Sequence, residues 1–284
     1  MAFYGTIAIW LCAAVASLAE TPSPSAQGWE KTVTPLPRGN FPNPRPLVAT
    51  YNFGWNNIVA ATGEVKFDQH DGHFQLLADG GTIGIVRTLW KYDVHHRALA
   101  DVATLRPLTL HQVDITRRKT VTTDATFKPN GVERIRADSK SNQTAKAKTF
   151  VFPEEIFDLH SALLRLRSQA LHDGDVYRLV VYPGNSAYLA TITVSGHSPV
   201  TVATGTYPAI KVDLQLHKVT RDGALTPHKK FRHATIWVSD NPDRMLLRVE
   251  ASIFVGTVFA ELQSIRFPND KSPEPSPSSK GSGT

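Results

Sequence analysis

The chain reads as a mostly β protein: an antiparallel barrel-like or strongly curved sheet, one α-helix packed on it, and disordered tails. Three observations predict this. Residues 231–267 (FRHATIWVSDNPDRMLLRVEASIFVGTVFAELQSIRF) carry three strand-like runs with two turns, and Leu247, Val249, Ala251, Ile253 and Val255 alternate with Arg248, Glu250 and Ser252. That period of two belongs to a half-buried strand. Similar runs, bounded by turn chemistry, recur from residue 48 onward, and one segment has helical spacing.

Taken in order, Val48 to Trp55, Ile58 to Phe67 and Phe74 to Ala78 form an opening meander, turning at Gln69-His70-Asp71-Gly72-His73. Ile83 to Tyr92 fits a short helix or a strand. Strands follow at Leu108 to Ile115, Thr120 to Phe127, Val132 to Ala137, Tyr177 to Tyr182, Ala187 to Ser195, Thr201 to Thr204 and Ile210 to Lys218. Lys128-Pro129-Asn130-Gly131 and Pro183-Gly184-Asn185 have hairpin-turn chemistry, and Arg221-Asp222-Gly223 marks a turn. The helix is expected over about 154–169. Ile156, Leu159, Leu163 and Leu166 share a face, Pro153 suits the first turn, and Glu154 and Glu155 favour its positive end. Arg165 and Arg167 complement the far end.

A Gly256-Thr257 turn would set the register of the last hairpin. It would place Val255 opposite Val258, Ile253 opposite Ala260 and Ala251 opposite Leu262 on an apolar face. Phe254 with Phe259, Ser252 with Glu261 and Glu250 with Gln263 would form the other face. That face either meets solvent or lines a barrel interior.

The ends differ in composition. Residues 1–19 are expected to be a signal peptide: Ala2 to Ala19 carry no charge, and Ser17-Leu18-Ala19 places small residues before Glu20. The run lacks an early Lys or Arg, and it is short for a membrane span. Cys12, the one cysteine, falls inside it, so a chain cut after Ala19 has no disulfide. Bulky Trp10 and Leu11 before Cys12 argue against a lipid-anchored cysteine. Residues 20–46 are Pro-rich and read as a linker; residues 268–284 are low in complexity and read as a disordered tail. One β-rich domain, 47–267, lies between them. No transmembrane span is expected after cleavage.

Bulk properties narrow the function classes only slightly. The chain has 284 residues, 41% of them hydrophobic and 20% charged, with a formal net charge of +6. The basic patches Arg117-Arg118-Lys119 and His228-Lys229-Lys230 lack interleaved aromatics, which speaks against nucleic acid. Asp158, His160 and Ser161 are the residue types of a hydrolytic triad, but on a helix His160 points away from the other two, and no Gly-x-Ser-x-Gly elbow is present. Capping and packing explain Asp158 and Ser161 better. Asp68, His70, Asp71 and His73, with His95 and His96, could ligate a metal; their place on a hairpin turn reads as ordinary solvated chemistry. No catalytic residue, metal or cofactor is assigned.

Four ordered blocks resemble the bacterial domain-of-unknown-function family 3108 of exported envelope proteins. They are Tyr51 with Trp55, Ile58, Ala61 and Gly63; Thr82-Ile83-Gly84 with Leu89, Trp90, Asp101 and Leu105-Arg106-Pro107; Asp158-Leu159-His160-Ser161-Ala162 with Leu166-Arg167 and Gly174; and Ile236-Trp237-Val238-Ser239-Asp240 with Arg248-Val249-Glu250, Val255-Gly256 and Ala260-Glu261-Leu262. Leu246 and Asn241 depart from the family pattern, which favours Pro and a second Asp there. The resemblance implies a barrel-like antiparallel β structure with a packed helix, and no reaction. Arg106, Arg167 and Glu250 match family positions. They read as a structural ion pair or as a site for a lipid phosphate or acidic sugar. Trp55, Trp90 and Trp237 read as core anchors, and Trp90, with Tyr92, could instead stack on a sugar.

The expectation is an exported, periplasmic or envelope-associated, non-enzymatic protein. It would bind an amphipathic or glycan ligand at a barrel mouth or groove through Arg106, Arg167, Glu250, Trp90 and Trp237. The alternative is a partner of envelope-assembly proteins in surface-polysaccharide or outer-membrane biogenesis. A hydrolase is the less favoured third reading.

Overall fold

A computed structural model describes residues 28–268, apart from 142–143, 153, 221, 229–230 and 254–255. The expected signal peptide and the tail from residue 269 lie outside these.

Sixteen strands form one sheet. The first half comprises β1 (Leu47–Trp55), β2 (Ile58–His70), β3 (His73–Thr82), β4 (Tyr92–Asp101), β5 (Pro107–Thr116), β6 (Thr120–Lys128), β7 (Gly131–Asp138) and β8 (Ala147–Val151), with helix α1 (Gly84–Leu89) between β3 and β4. The second half comprises β9 (Ile156–Phe157), helix α2 (Leu159–Arg167), β10 (Val176–Val181), β11 (Tyr188–Val202), β12 (Gly205–Val219), β13 (Leu225–Pro227), β14 (Phe231–Ser239), β15 (Leu246–Ile253) and β16 (Gly256–Arg266). The spatial order is β8-β7-β6-β5-β4-β3-β2-β1-β16-β15-β14-β12-β11-β10-β9, with β13 on β12. The chain thus winds outward from β1 through successive hairpins, and its last strand returns to pair with the first. Among the described residues β8 and β9 end the sheet and are not paired with each other, so the barrel is not closed.

The sheet instead curls until distant strands touch. Ala98, Leu110, Ala125, Phe127 and Val132 of β4 to β7 share a core with Val180 and Leu189 of β10 and β11 and with Tyr182 beyond β10. A second core joins Tyr51, Phe53, Leu247, Val249, Val258 and Leu262 to Val202 at the far end of β11. The long β11–β12 hairpin reaches there because its register slips between Val194 and Gly196; such a bulge bends the strand.

α2 begins later than its periodicity suggests. Ile156 and Phe157 are buried and pair in parallel with Val180 and Val181. Asp158 is an extended N-cap, with φ −80 and ψ 177. Its carboxylate accepts from the Ser161 amide at 2.6 Å, while the Ser161 hydroxyl accepts from the Asp158 amide at 3.1 Å. This reciprocal box satisfies two amides that the first turn leaves open, and it fixes the start at Leu159. Pro153, expected in the first turn, lies outside the described residues. The buried face is also corrected: Ala162, Leu164 and Leu166 point inward, whereas Leu163 is exposed.

Residues 28–46 of the Pro-rich segment are docked, where a linker was expected. Residues 29–32 form a 3-10 turn, and buried Trp29 donates its Nε1 to the Gly223 carbonyl at 2.7 Å. Farther along, Thr34 and Arg178 exchange hydrogen bonds, Leu36 packs beside Phe157 and Leu166, and Arg38 donates to the Val102 carbonyl at 2.6 Å. Pro supplies no donor, so other groups tie the strap down.

The remaining differences are local. Ile83 to Tyr92 resolves into α1 followed by the start of β4. Residues 201–204 extend β11 instead of forming a separate strand. β4 and β8 had no counterpart in the expected strands. The closing hairpin turns two residues earlier: Ile253 pairs with Gly256, Ala251 with Val258 and Val249 with Ala260. The apolar face survives this shift because two residues is the side-chain period. Phe254 and Val255, and hence the expected Val255–Val258 pair, fall outside the described residues.

Two expectations follow. Trp29→Ala removes a buried aromatic and its hydrogen bond, and urea unfolding should show a loss of about 3–5 kcal/mol; a slack linker would show none. Burial raises the Asp158 carboxyl to about 6. A raised carboxyl stabilises the fold below its unfolded value near 4, and that contribution is lost as pH rises through about 6. Asp158→Asn keeps a cap acceptor and cannot titrate. The wild-type melting temperature should therefore fall relative to the Asn variant between about pH 4 and 6.

Candidate functional site

The expected binding residues do not converge. Arg106 is exposed and pairs with Glu155 at 2.6 Å. Among the described residues Arg167 forms no ion pair of the expected kind, although the Asp243 charge acts on it. It donates to the backbone carbonyls of Asp243 at 3.2 Å, Pro242 at 2.8 Å and Pro42. Burial, with Arg244 nearby, pushes it down to about 10. Trp90 stacks on Tyr92 with centroids 5.5 Å apart, on α1's side of the sheet. Trp237, though paired with Arg248, packs against the Leu247–Leu262 core as a core anchor would, and Glu250 lies elsewhere, beside Phe259 on the outer face.

That face resolves the alternative left by the closing hairpin: its polar side looks outward. Pairing aligns Lys211, Trp237, Arg248, Glu261, Asn52 and Thr62 in one row across β12, β14, β15, β16, β1 and β2. The next row holds Asp213, Thr235, Glu250, Phe259, Gly54 and Val59. Cross-strand partners share a face, so these side chains are neighbours.

A depression of about 320 Å³ opens there, lined by Asn52, Asn57, Val59, Arg248, Phe259, Glu261 and Gln263. Phe259 forms its apolar wall because Gly54 gives it room: a β-carbon at Gly54 would sit 2.4 Å from Phe259 Cζ and 2.3 Å from the Ile58 carbonyl. Arg248 is held between two acids, Glu250 at 2.5 Å and Glu261 at 3.4 Å. Its Nε is buried with no hydrogen-bond partner among the described residues. One guanidinium against two carboxylates leaves the floor without a free positive charge. The arrangement therefore offers planar donors and acceptors beside an aromatic ring and does not suit an anion.

The other candidate groups are accounted for by structure. Ser161 and Asp158 form the capping box, and the His160 ring is buried 5.7 Å from Phe67. Asp68 pairs with His70 at 2.8 Å, and His95 pairs with Asp79 at 2.6 Å, several rungs from the β2–β3 turn. His96 points to the buried face. Among the described residues, no three His, Cys, Asp or Glu side chains stand close enough to hold a metal ion.

Sequence reasoning named Glu250 and Trp237 but passed over Arg248 as a site residue, and Asn52, Phe259, Glu261 and Gln263 with it. The available signal was the polar half of the alternation in β15 and β16. It required the cross-sheet register to become a site.

No curated protein matches the chain significantly. Among solved structures, a β-barrel-like protein of domain of unknown function DUF1849 from Brucella abortus is 10% identical, with a TM-score of 0.54, over 80% of this chain and 100% of that one. This likeness shows the fold. A candidate lipoprotein from Parabacteroides distasonis is 8% identical (TM-score 0.33; 81% and 99% covered). A candidate exported protein with YmcC-like fold from Bacteroides fragilis is 12% identical (TM-score 0.33; 81% and 99% covered). The family model described as "Protein of unknown function (DUF3108)" matches residues 49–263, and the chain belongs to that family.

Proposed function

We propose that the protein is an exported, non-enzymatic binding module of the cell envelope, and that it holds a hydroxyl-rich glycan in the outward depression of the sheet. The observation that carries this reading is the grouping of Asn52, Gln263, Glu261 and Arg248 beside the Phe259 ring in one shallow recess. Planar amides, carboxylates and a guanidinium bind vicinal hydroxyls in pairs, and an aromatic face covers the apolar side of a sugar ring. Arg248 is already neutralised by Glu250 and Glu261, which favours a neutral or amino sugar over a lipid phosphate. Export rests on the uncharged apolar run from Ala2 to Ala19 and its small-residue cleavage pattern.

Native mass spectrometry on protein purified gently from its host, followed by calorimetric titration with the released sugar, tests the reading. A co-purifying glycan is expected. The Asn52→Ala/Gln263→Ala double variant should weaken binding by at least about tenfold, since each lost hydrogen bond is worth roughly 0.5–1.5 kcal/mol. Its melting temperature should be nearly unchanged. A phospholipid adduct instead of a glycan, or a variant that binds as well as wild type, overturns it.

A further inference from the structure

The strand ends divide the molecule into two rims. One carries the strap, α2, the β4–β5 connection and the β14–β15 turn. The opposite rim carries the β1–β2 turn, the β3–α1–β4 connection, the β5–β6 turn and the segment after β7. Among the described residues, ten large hydrophobic side chains are exposed, and six of them sit on this opposite rim: Trp55, Ile58, Val59, Ile83, Ile85 and Leu89. They are contiguous. Trp55 pairs with Ile58 across the turn, and the Ile83 amide donates to the Ala60 carbonyl at 3.0 Å.

α1 is the most exposed part. None of its residues is buried. Ile85 and Leu89 are 76% and 77% exposed and lie four residues apart, on one face of the helix. A free helix face that presents two large aliphatic groups to water is unfavourable, and such contiguous patches mark interaction sites.

The charge around the patch that lies outside ion pairs has one sign. Arg117 reaches α1 and donates to the carbonyls of Thr88 and Arg87. Arg118 is exposed beside it, and Lys140 follows Ser139, whose amide bonds to Thr120. Lys91 closes α1. Lys91, Arg117, Arg118 and Lys140 lie outside every ion pair formed among the described residues, whereas the acids on this rim are engaged: Asp93 with Arg87 at 2.6 Å and Asp138 with Lys119 at 2.5 Å.

We propose that this rim docks on the surface of an anionic phospholipid bilayer. Ile85, Leu89, Ile58 and Trp55 enter the headgroup region, and Lys91, Arg117, Arg118 and Lys140 lie against the phosphates. Exposed aliphatic groups and a Trp inside a basic collar supply the two signals that interfacial attachment needs, apolar burial and charge. The proposal does not rest on the glycan reading, which uses the outward face.

The test is flotation of the purified mature chain, from Glu20 onward, with vesicles of phosphatidylcholine alone or with one-third phosphatidylglycerol. Ile85→Ser/Leu89→Ser changes only exposed side chains and should keep the melting temperature. Wild type should float with the anionic vesicles, and this variant should bind at least about tenfold more weakly. Arg117→Gln/Arg118→Gln should lose roughly fivefold per charge and its preference for anionic lipid. Asn52→Ala/Gln263→Ala, in the sugar recess, should float like wild type, so the two readings fail separately. Three results would overturn the proposal: no flotation of wild type, equal flotation of Ile85→Ser/Leu89→Ser, or sedimentation showing that the rim pairs two copies of the chain.

Discussion

The structure depends on holding an open sheet in a curl. A closed barrel locks itself through its last strand pair, but here β8 and β9 are not paired with each other, so other contacts must hold the curl. α2 does this, and arginines fasten it. Arg165, 4% exposed, donates to the Leu36 carbonyl on the strap and to the Thr104 carbonyl beyond β4 at 2.5 Å, and reaches Glu155 at 3.4 Å. Arg244 donates to the Arg167, Gln169 and Ala170 carbonyls, closing the last turn of the helix, where carbonyls otherwise lack partners and a cation suits the dipole. It also lies over the Phe41 ring, 3.4 Å from the centroid. Burial lowers the proton affinity of Arg165, Arg167 and Arg244, which is the electrostatic cost of the lattice. Backbone carbonyls offset that cost with hydrogen bonds to charged donors.

That lattice explains why the strap belongs to the fold although its composition says otherwise. Proline and glycine content identifies a segment that cannot join a sheet; it does not say whether side chains elsewhere will collect its carbonyls. Leu36, Pro37 and Pro42 present carbonyls to Arg165, Gln169 and Arg167, and Trp29 fills the space between the β4–β7 and β10–β11 layers. The acceptors come from the backbone, which every sequence has, so only the fold reveals them.

The strand pattern was legible wherever one face is apolar and turns carry Gly, Asn or Asp. β1, β2, β5, β6, β7 and the closing strands were readable on those grounds. β4 was obscured by His95, His96 and Arg97, whose polarity hides that His96 is the inward member of the alternation. The helix start was missed because Ile156 and Phe157 satisfy helical spacing and sheet burial equally well; the Asp158–Ser161 box decides between them. The hairpin register was missed by two residues because Gly256, which has φ 128, opens β16 and does not form the turn. Its place is set by Asn56, whose side chain accepts from the Thr257 amide at 3.0 Å and crowds Gly256. No local reading of residues 246–266 contains that long-range partner.

The same logic limits what sequence could say about function. Trp237 and Glu250 are visible as residue types, yet a shallow site on a sheet is made by neighbours across strands. Asn52 and Arg248, almost two hundred positions apart, meet only because β16 lies between β1 and β15. The Arg106, Arg167 and Trp90 signals point to real structural duties that sequence cannot distinguish from binding. A guanidinium fastening carbonyls and a guanidinium awaiting a phosphate look identical in one dimension. What separates them is whether the fold has already supplied the acceptors. For Arg167 it has supplied three carbonyls. For Arg248 it has supplied two carboxylates, Glu250 and Glu261, which leave it no charge to offer an anion.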